Sequence, residues 1–312
     1  MGLFQKPKKE KRGIKILLYG MTGVGKSWFA LTFPKVAVID TEDGTSMYTE
    51  NINMVQRLVT TSAVEIEEAV DEIRDELLDD VDTIVLDSET KMYENLQHSA
   101  LVVVERRARK AGRDAFAETL SMKEWGKIKL IHKRINSKLI SLAGMGKNII
   151  MVTQLSDKTQ QIGDSFVKIG EKPNGIKGIE YDFDIVLKLC YDETTERRYG
   201  IVEKDRTSTY KIGEEIESPS FDNWKHIFFG SQSLETAHIN FNKDIEIDTE
   251  EFDDDIETLK DNIKTSMKSK MKANKLNKEP IMNLLAKYGM KTPDEITDVE
   301  MAKKIIEELK AL

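Results

Sequence analysis

The chain has 312 residues, 39% hydrophobic and 33% charged, with a formal net charge of -8. That balance excludes a uniformly basic nucleic-acid binder, though not a local basic groove, and a single cysteine, Cys190, excludes an intramolecular disulfide framework and suits a reducing cytoplasm. Four scattered histidines beside that cysteine offer no spaced zinc site, and no apolar run approaches the roughly 20 residues of a membrane helix.

Met1 to Gly13 carries Lys6, Lys8, Lys9, Lys11 and Arg12 without an apolar core. It reads as a basic tail, solvated or acting as an electrostatic arm, and not as a signal peptide. Ile14 to Tyr19 is an apolar run with the character of a buried strand. Gly20-Met21-Thr22-Gly23-Val24-Gly25-Lys26-Ser27 follows and fits G-x-x-x-x-G-K-[ST], and Trp28 to Phe33 has helical apolar spacing. Strand, glycine loop and helix form a P-loop, in which backbone N–H groups close around phosphate oxygens and the helix N-terminus adds positive charge. Residues 20–28, Trp28 included, are therefore the expected nucleotide contacts. Lys26 is assigned to the β- and γ-phosphates of ATP, and Ser27 to Mg²⁺.

Val36 to Ile39 reads as a second buried strand, and Met54 to Thr60 as a third. Ser62-Ala63-Val64-Glu65 is a capping box opening a helix to about Leu78. Thr83 to Leu86 is an apolar strand ending at Asp87. Lys91 to about Ala117 is helical in part, with a dense basic segment holding Arg106, Arg107, Arg109, Lys110 and Arg113. Met122 to Leu142 reads as a long amphipathic helix, with Trp125, Ile128, Ile131, Ile135 and Leu139 three and four residues apart and Gly144 and Gly146 as its stop. Asn148 to Gln154 is a further buried strand. Leu155 to Ile179 is polar and aperiodic, and reads as a long loop with at most a short hairpin around Phe166 to Ile169. Asp184 to Leu189 and Arg198 to Val202 complete the strands. Apolar runs alternating with helices predict an α/β fold with a mostly parallel sheet.

Asp244 to Glu257 holds nine acids and no Lys or Arg, the pattern of a linker. Three helices are expected beyond it. Asn277 to Tyr288 stops at Gly289, Thr292-Pro293-Asp294-Glu295 is a capping box, and Met301 to Ala311 places Met301, Ile305, Ile306 and Leu309 on one face. The expected organisation is a basic tail over 1–13, an ATPase core over 14–234, an acidic linker over 235–260 and a small helical module over 261–312.

Three polar side chains should meet at the P-loop. Asp87, at a strand end, is the expected second Mg²⁺ group beside Ser27. Glu42 follows the strand Val36 to Ile39, so it should lie at the same sheet edge, where a carboxylate can orient and deprotonate an attacking water. Gln154 ends another strand at that edge, where its amide can sense the γ-phosphate and signal to the segment that follows.

These motifs resemble the RecA-like recombinases. Asp40-Thr41-Glu42 is similar to their acid motif, Leu86-Asp87-Ser88 to their metal-site strand, and Val152-Thr153-Gln154 to the strand opening their second DNA-binding loop. Gly178 to Leu187 is similar to the return from that loop, and Lys204-Asp205-Arg206 to their pair of basic residues. The resemblance spans roughly Ile14 to Lys211 and leans most on the P-loop. Within it, the early start of the core, the short step from Ser27 to Glu42 and the Lys204–Arg206 pair look most like the compact Sak-type phage ATPases of single-strand annealing. The helix-and-strand module with which RecA polymerises has no counterpart before the core, and the C-terminal module matches no part of RecA.

The resemblance implies a RecA-like core, ATP and Mg²⁺, single-stranded DNA as ligand, and a homo-oligomer, ring or filament, in the cytoplasm of a bacterial host. A single-stranded-DNA-binding protein would be a further partner, and no membrane is involved. Lys204 and Arg206 would reach the nucleotide of a neighbouring protomer. Arg106 to Arg113 falls where the first DNA loop lies, so its cations would contact phosphates or remain a solvated helix face. Lys158, Lys168, Lys172 and Lys177 around Phe166 would contact backbone and stack a base in the second. Three other classes remain open: an AAA+-like replication or remodelling ATPase, a small-molecule kinase, and a nucleotide-gated adaptor.

Overall fold

The computed structural model describes residues 6, 8–163, 165–235, 245, 256–273 and 279–311. The chain divides into two compact units, Met1–Ile239 and Asn240–Leu312.

The first unit is built on a nine-stranded sheet. Its strands are β1 (Lys15–Gly20), β2 (Val36–Asp40), β3 (Met54–Val59), β4 (Thr83–Asp87), β5 (Asn148–Ile162), β6 (Ser165–Asn174), β7 (Ile185–Asp192), β8 (Arg197–Asp205) and β9 (Glu215–Glu217). The order is β3-β2-β4-β5-β1-β7-β8-β9, with β6 paired to β5. Strands β3 to β7 of that path run parallel, β8 and β9 antiparallel. Strand β1 is apolar at nearly every position because both faces of the sheet are covered. Ile16 and Leu18 pack with Phe29, Phe33, Trp224 and Phe228 on one side. Leu17 and Tyr19 pack with Ile66, Val70, Ile135 and Leu139 on the other.

Helix α1 (Lys26–Ala30) and α5 (Lys225–Ser231) supply the first layer, and α2 (Ala63–Asp75), α3 (Glu89–Lys110) and α4 (Met122–Gly144) the second. The predicted spacing in α4 holds, with Ile128, Ile135 and Leu139 buried. Its start carries a box that the sequence reading missed: Ser121 Oγ accepts from Lys123 N and the Glu124 carboxylate accepts from Ser121 N.

Several expectations need correction. Helix α1 is only five residues long, because Leu31 caps it and the chain turns at once toward β2. The Ser62 box is half made: Ser62 Oγ accepts from Glu65 N, but the Glu65 carboxylate accepts from the Thr60 hydroxyl instead. The segment read as a long loop is an extended hairpin. Strand β5 continues through Ile162 and β6 returns antiparallel to Asn174, so ladder hydrogen bonds satisfy its polar backbone without a buried face. The basic tail is anchored: Lys8 Nζ donates to the Glu235 carboxylate, Lys11 N to Glu235 O, Arg12 N to Ser231 Oγ and Gly13 N to Ala143 O. Strand β9 and helix α5 had no sequence signal strong enough to predict them.

The second unit contains α6 (Ile256–Ala273), α7 (Glu279–Lys287) and α8 (Val299–Ala311). They share a core that includes Leu259, Ile263, Leu284, Leu285, Ile305 and Leu309. Thr292 opens no α-helix; Pro293–Glu295 is a single 3₁₀ turn and the Thr292 side chain makes no cap bond. Most of the acidic run from Asp244 to Glu257 lies outside the described residues. No helix among the described residues is long and apolar enough to cross a membrane.

Candidate nucleotide site

The site lies where β1, β2, β4 and β5 end side by side. Gly20 pairs with Gln154, and Asp87 pairs with both Asp40 and Val152, which puts the P-loop, the turn after β2 and Asp87 at one edge. Strand β5 lies between β1 and β4, so Asp87 stands one strand removed from the loop. A cavity of about 710 Å³ opens there, lined by residues 20–23 and 25–28 of the P-loop with Glu42, Asp87, Ser88 and Gln154.

The glycines of the loop are required by the backbone. A Cβ on Gly20 would lie 2.4 Å from Leu189 O of β7, and Gly25 sits at φ 98° at the start of α1. Val24 turns its side chain into the core, which leaves its backbone N–H as the group that can face a phosphate. Lys26 Nζ donates to Gly20 O at 3.1 Å and Met21 O at 2.7 Å. Burial pushes its ammonium pKa down, opposed by the Asp87 and Glu42 carboxylates. Its hydrogen-bond partners are neutral carbonyls, so the charge remains available to a phosphate.

Ser27 Oγ donates to Asp87 Oδ2 at 2.5 Å, bringing the two expected Mg²⁺ groups together. Asp87 is raised to about 6, by burial first; the Ser27 bond lowers it, and the Glu42 and Asp40 charges push it up again. A hydroxyl and a crowded carboxylate beside a phosphate cradle are hard oxygen donors, the set Mg²⁺ takes when substrate phosphates complete its shell. The residues present therefore fit the ion. Among the described residues no cluster of three or more His, Cys, Asp or Glu could hold a metal on its own.

Glu42 is held by two donors. Ser88 Oγ reaches its Oε1 at 2.6 Å and Gln154 Nε2 reaches the same oxygen at 3.0 Å. The turn that carries Glu42 is shaped by buried Asp40, which accepts from Glu42 N, Gly44 N, Thr45 N and Arg57. Burial raises the Asp40 carboxyl, but the bonds from Thr45 and Arg57 outweigh it and hold the group below the ordinary carboxylate value. Glu42, Asp87 and Gln154, far apart in sequence, thus converge as expected of their strand ends.

From Gln154 a hydrogen-bonded path runs into the hairpin. Gln154 N donates to Thr90 Oγ1 at 3.0 Å, and Thr90 Oγ1 donates to Asn174 O at 2.6 Å. Thr90 lies in the first turn of α3, three residues after Asp87, and ties both strands at the hairpin base. Beside it, buried Glu89 Oε1 meets His132 Nε2 at 2.6 Å and accepts from Ile176 N. The hairpin leaves the sheet on the P-loop side, because β5 continues past the residues it pairs with β1.

The expected DNA residues are all away from the cavity. Phe166 is 72% exposed on β6. Lys168 is paired with Asp157 at 2.6 Å and Glu171 at 3.2 Å, whereas Lys158, Lys172 and Lys177 are exposed with no acid within ion-pair distance among the described residues. At the end of α3, Arg107 faces Glu124, Arg109 faces Glu105 and Arg113 faces Glu118, leaving Arg106 and Lys110 without such partners among the described residues. Lys204 and Arg206 sit at the opposite edge of the sheet from the P-loop. Strand β8 pairs Lys204 with Val186 at the start of β7, while Gly20 pairs with Leu189 near its end. There Lys204 donates to Glu180 O and Tyr181 O, and Arg206 to Tyr181 O.

Sequence reasoning missed Ser88 as a site residue and missed Arg198 and Tyr48, which also line the cavity. Ser88 follows Asp87 directly and could have been found by the same strand-end logic. Arg198 had no local signal, since only the antiparallel return of β8 carries it to the P-loop.

The fold and this edge define a P-loop NTPase with a RecA-like core. A family model described as an AAA domain (AAA_24) matches residues 12–212, and the chain belongs to that family. Among solved structures, the chain is similar to the RadB recombinase at 16% identity, covering 67% of this chain and 87% of that one with a TM-score of 0.43. It is also similar to a KaiC-like protein from the hyperthermophilic archaeon Pyrococcus horikoshii OT3, at 16% identity over 66% of this chain and 85% of that one, with a TM-score of 0.40. No curated protein matches the chain.

Proposed function

We propose that the protein is a Mg²⁺-dependent ATPase that binds single-stranded DNA on its β5–β6 hairpin and α3 end, and assists annealing or recombination in the manner of the phage Sak-type proteins. The observation that carries this reading is the path Glu42–Gln154–Thr90–Asn174, which joins the hydrolytic end of the cavity to the base of a protruding hairpin with exposed Lys158, Lys172 and Phe166. Lys26 holds the β- and γ-phosphates. Ser27 and Asp87 hold Mg²⁺, which when bound supplies positive charge to the phosphoryl oxygens. Glu42 orients the attacking water and takes its proton. Gln154, hydrogen-bonded to Glu42, registers whether a γ-phosphate is present. Lys204 and Arg206 serve a neighbouring protomer's nucleotide, since their own P-loop is at the other edge. Membership of an AAA family also admits a remodelling motor, which protein or duplex partners would stimulate in place of single strands.

The test is ATP hydrolysis with and without single-stranded DNA at stepped salt, on the wild type and on an Arg106, Arg107 and Arg109 triple alanine variant. Stimulation by single strands, DNA binding that weakens steeply with salt, and a shallower slope in the variant are expected. Hydrolysis indifferent to single strands would remove the DNA half of the reading.

A further inference from the structure

Arg198 is the second residue of β8, at the P-loop edge and opposite Tyr191 of β7. Its neighbour Arg197 is committed to Glu215 at 2.9 Å. Arg198 has no carboxylate within ion-pair distance among the described residues; its guanidinium lies over the Tyr191 ring at 5.3 Å. Its Cδ would stand 3.6 Å from a Cβ on Gly25, so the side chain runs along the last glycine of the P-loop. It lines the main cavity and also a smaller adjoining one of about 190 Å³, which shares Gly25 and Trp28 with the first. The smaller cavity is walled by Val24, Phe29, Leu189 and Ser218 to Ser220, and by none of Glu42, Asp87, Ser88 or Gln154.

These positions order the ligand. The hydrolytic groups mark the γ-phosphate end, so the nucleoside end points the other way, toward the smaller cavity. We propose that Arg198 is a nucleotide-binding residue supplied by the same protomer, contacting the α-phosphate side of the bound nucleoside triphosphate while the base enters the smaller cavity. The proposal rests on the nucleotide reading above. It separates Arg198 from Lys204 and Arg206: a cation on the α-phosphate serves ATP and ADP alike, whereas one acting on the transferring phosphoryl group serves turnover. Arg198 is exposed and outside the core, so its removal leaves the fold intact.

The experiment is calorimetric titration of the full chain with ATP and with ADP in Mg²⁺. The variants are Arg198→Gln, which keeps bulk and removes charge, and Arg198→Lys, which keeps charge; circular dichroism checks folding. Arg198→Gln should weaken ATP and ADP by a similar factor, about tenfold or more for a lost charge-assisted hydrogen bond. Arg198→Lys should recover part of both. Unchanged affinity for both ligands, or a loss confined to ATP, would overturn the assignment. A lysine variant no better than glutamine would overturn a charge-based contact. Wild-type protein that binds neither ligand would instead overturn the nucleotide reading itself, and the Arg198 assignment with it.

Discussion

Replacing Glu42 with glutamine isolates the chemistry of one carboxylate. Its Oε1 accepts from Ser88 Oγ at 2.6 Å and from Gln154 Nε2 at 3.0 Å. A glutamine can offer its carbonyl oxygen to both donors, so the side chain keeps its place and the link to Gln154 survives. What it loses is basicity. A general base contributes about 10² to 10⁴ in rate, so the variant should hydrolyse ATP slower by that factor, a barrier higher by about 3 to 5 kcal/mol. Glu42 makes no contact with Lys26 within hydrogen-bond reach, whose partners are Gly20 O and Met21 O, so ATP affinity should stay within about threefold, the scale of a lost long-range charge. Ser88→Ala removes one donor and leaves the base, and should cost about tenfold, the value of a single hydrogen bond to a charged group. Steady-state phosphate release with equilibrium ATP binding measures both quantities. Glu42→Gln protein turning over at the wild-type rate would refute the assignment of the base. Loss of ATP binding in the same variant would show that Glu42 holds the ligand rather than the water.

Thr90→Val keeps the shape of a buried side chain and removes its bonds to Gln154 N and Asn174 O; hydrogen exchange should show faster exchange across the hairpin with basal ATPase retained, and unchanged protection would refute its role as the tie. Inactive Lys26→Ala protein retains Arg206, and inactive Arg206→Ala protein retains a sound P-loop, so mixing them should recover part of the activity if the cation acts between protomers, with Arg206→Ala alone lowering turnover by on the order of 10³. No recovery in assemblies shown to be mixed would leave Lys204 and Arg206 as the local contacts they make with Glu180 and Tyr181.

Local patterns determined much of this protein. The P-loop, the strands carrying Asp40 and Asp87, and the amphipathic stripe of α4 are legible because backbone chemistry and one buried face act on neighbouring residues. From the rule that ligands gather at strand carboxyl ends, the sequence also anticipates that Glu42, Asp87 and Gln154 share an edge. It could not show what depends on partners distant along the chain. The polar run after Gln154 has no apolar face to mark it as strand, and becomes one because Leu155 to Ile162 finds a ladder with Ser165 to Asn174. Thr90 and Glu89 look like ordinary first-turn residues until the hairpin base lies against them. Only the sheet order sends Lys204 and Arg206 to the far edge while bringing Arg198 to the P-loop: an antiparallel strand reverses which end of a basic run meets the site, and strand direction is a property of pairing, which no local spacing encodes.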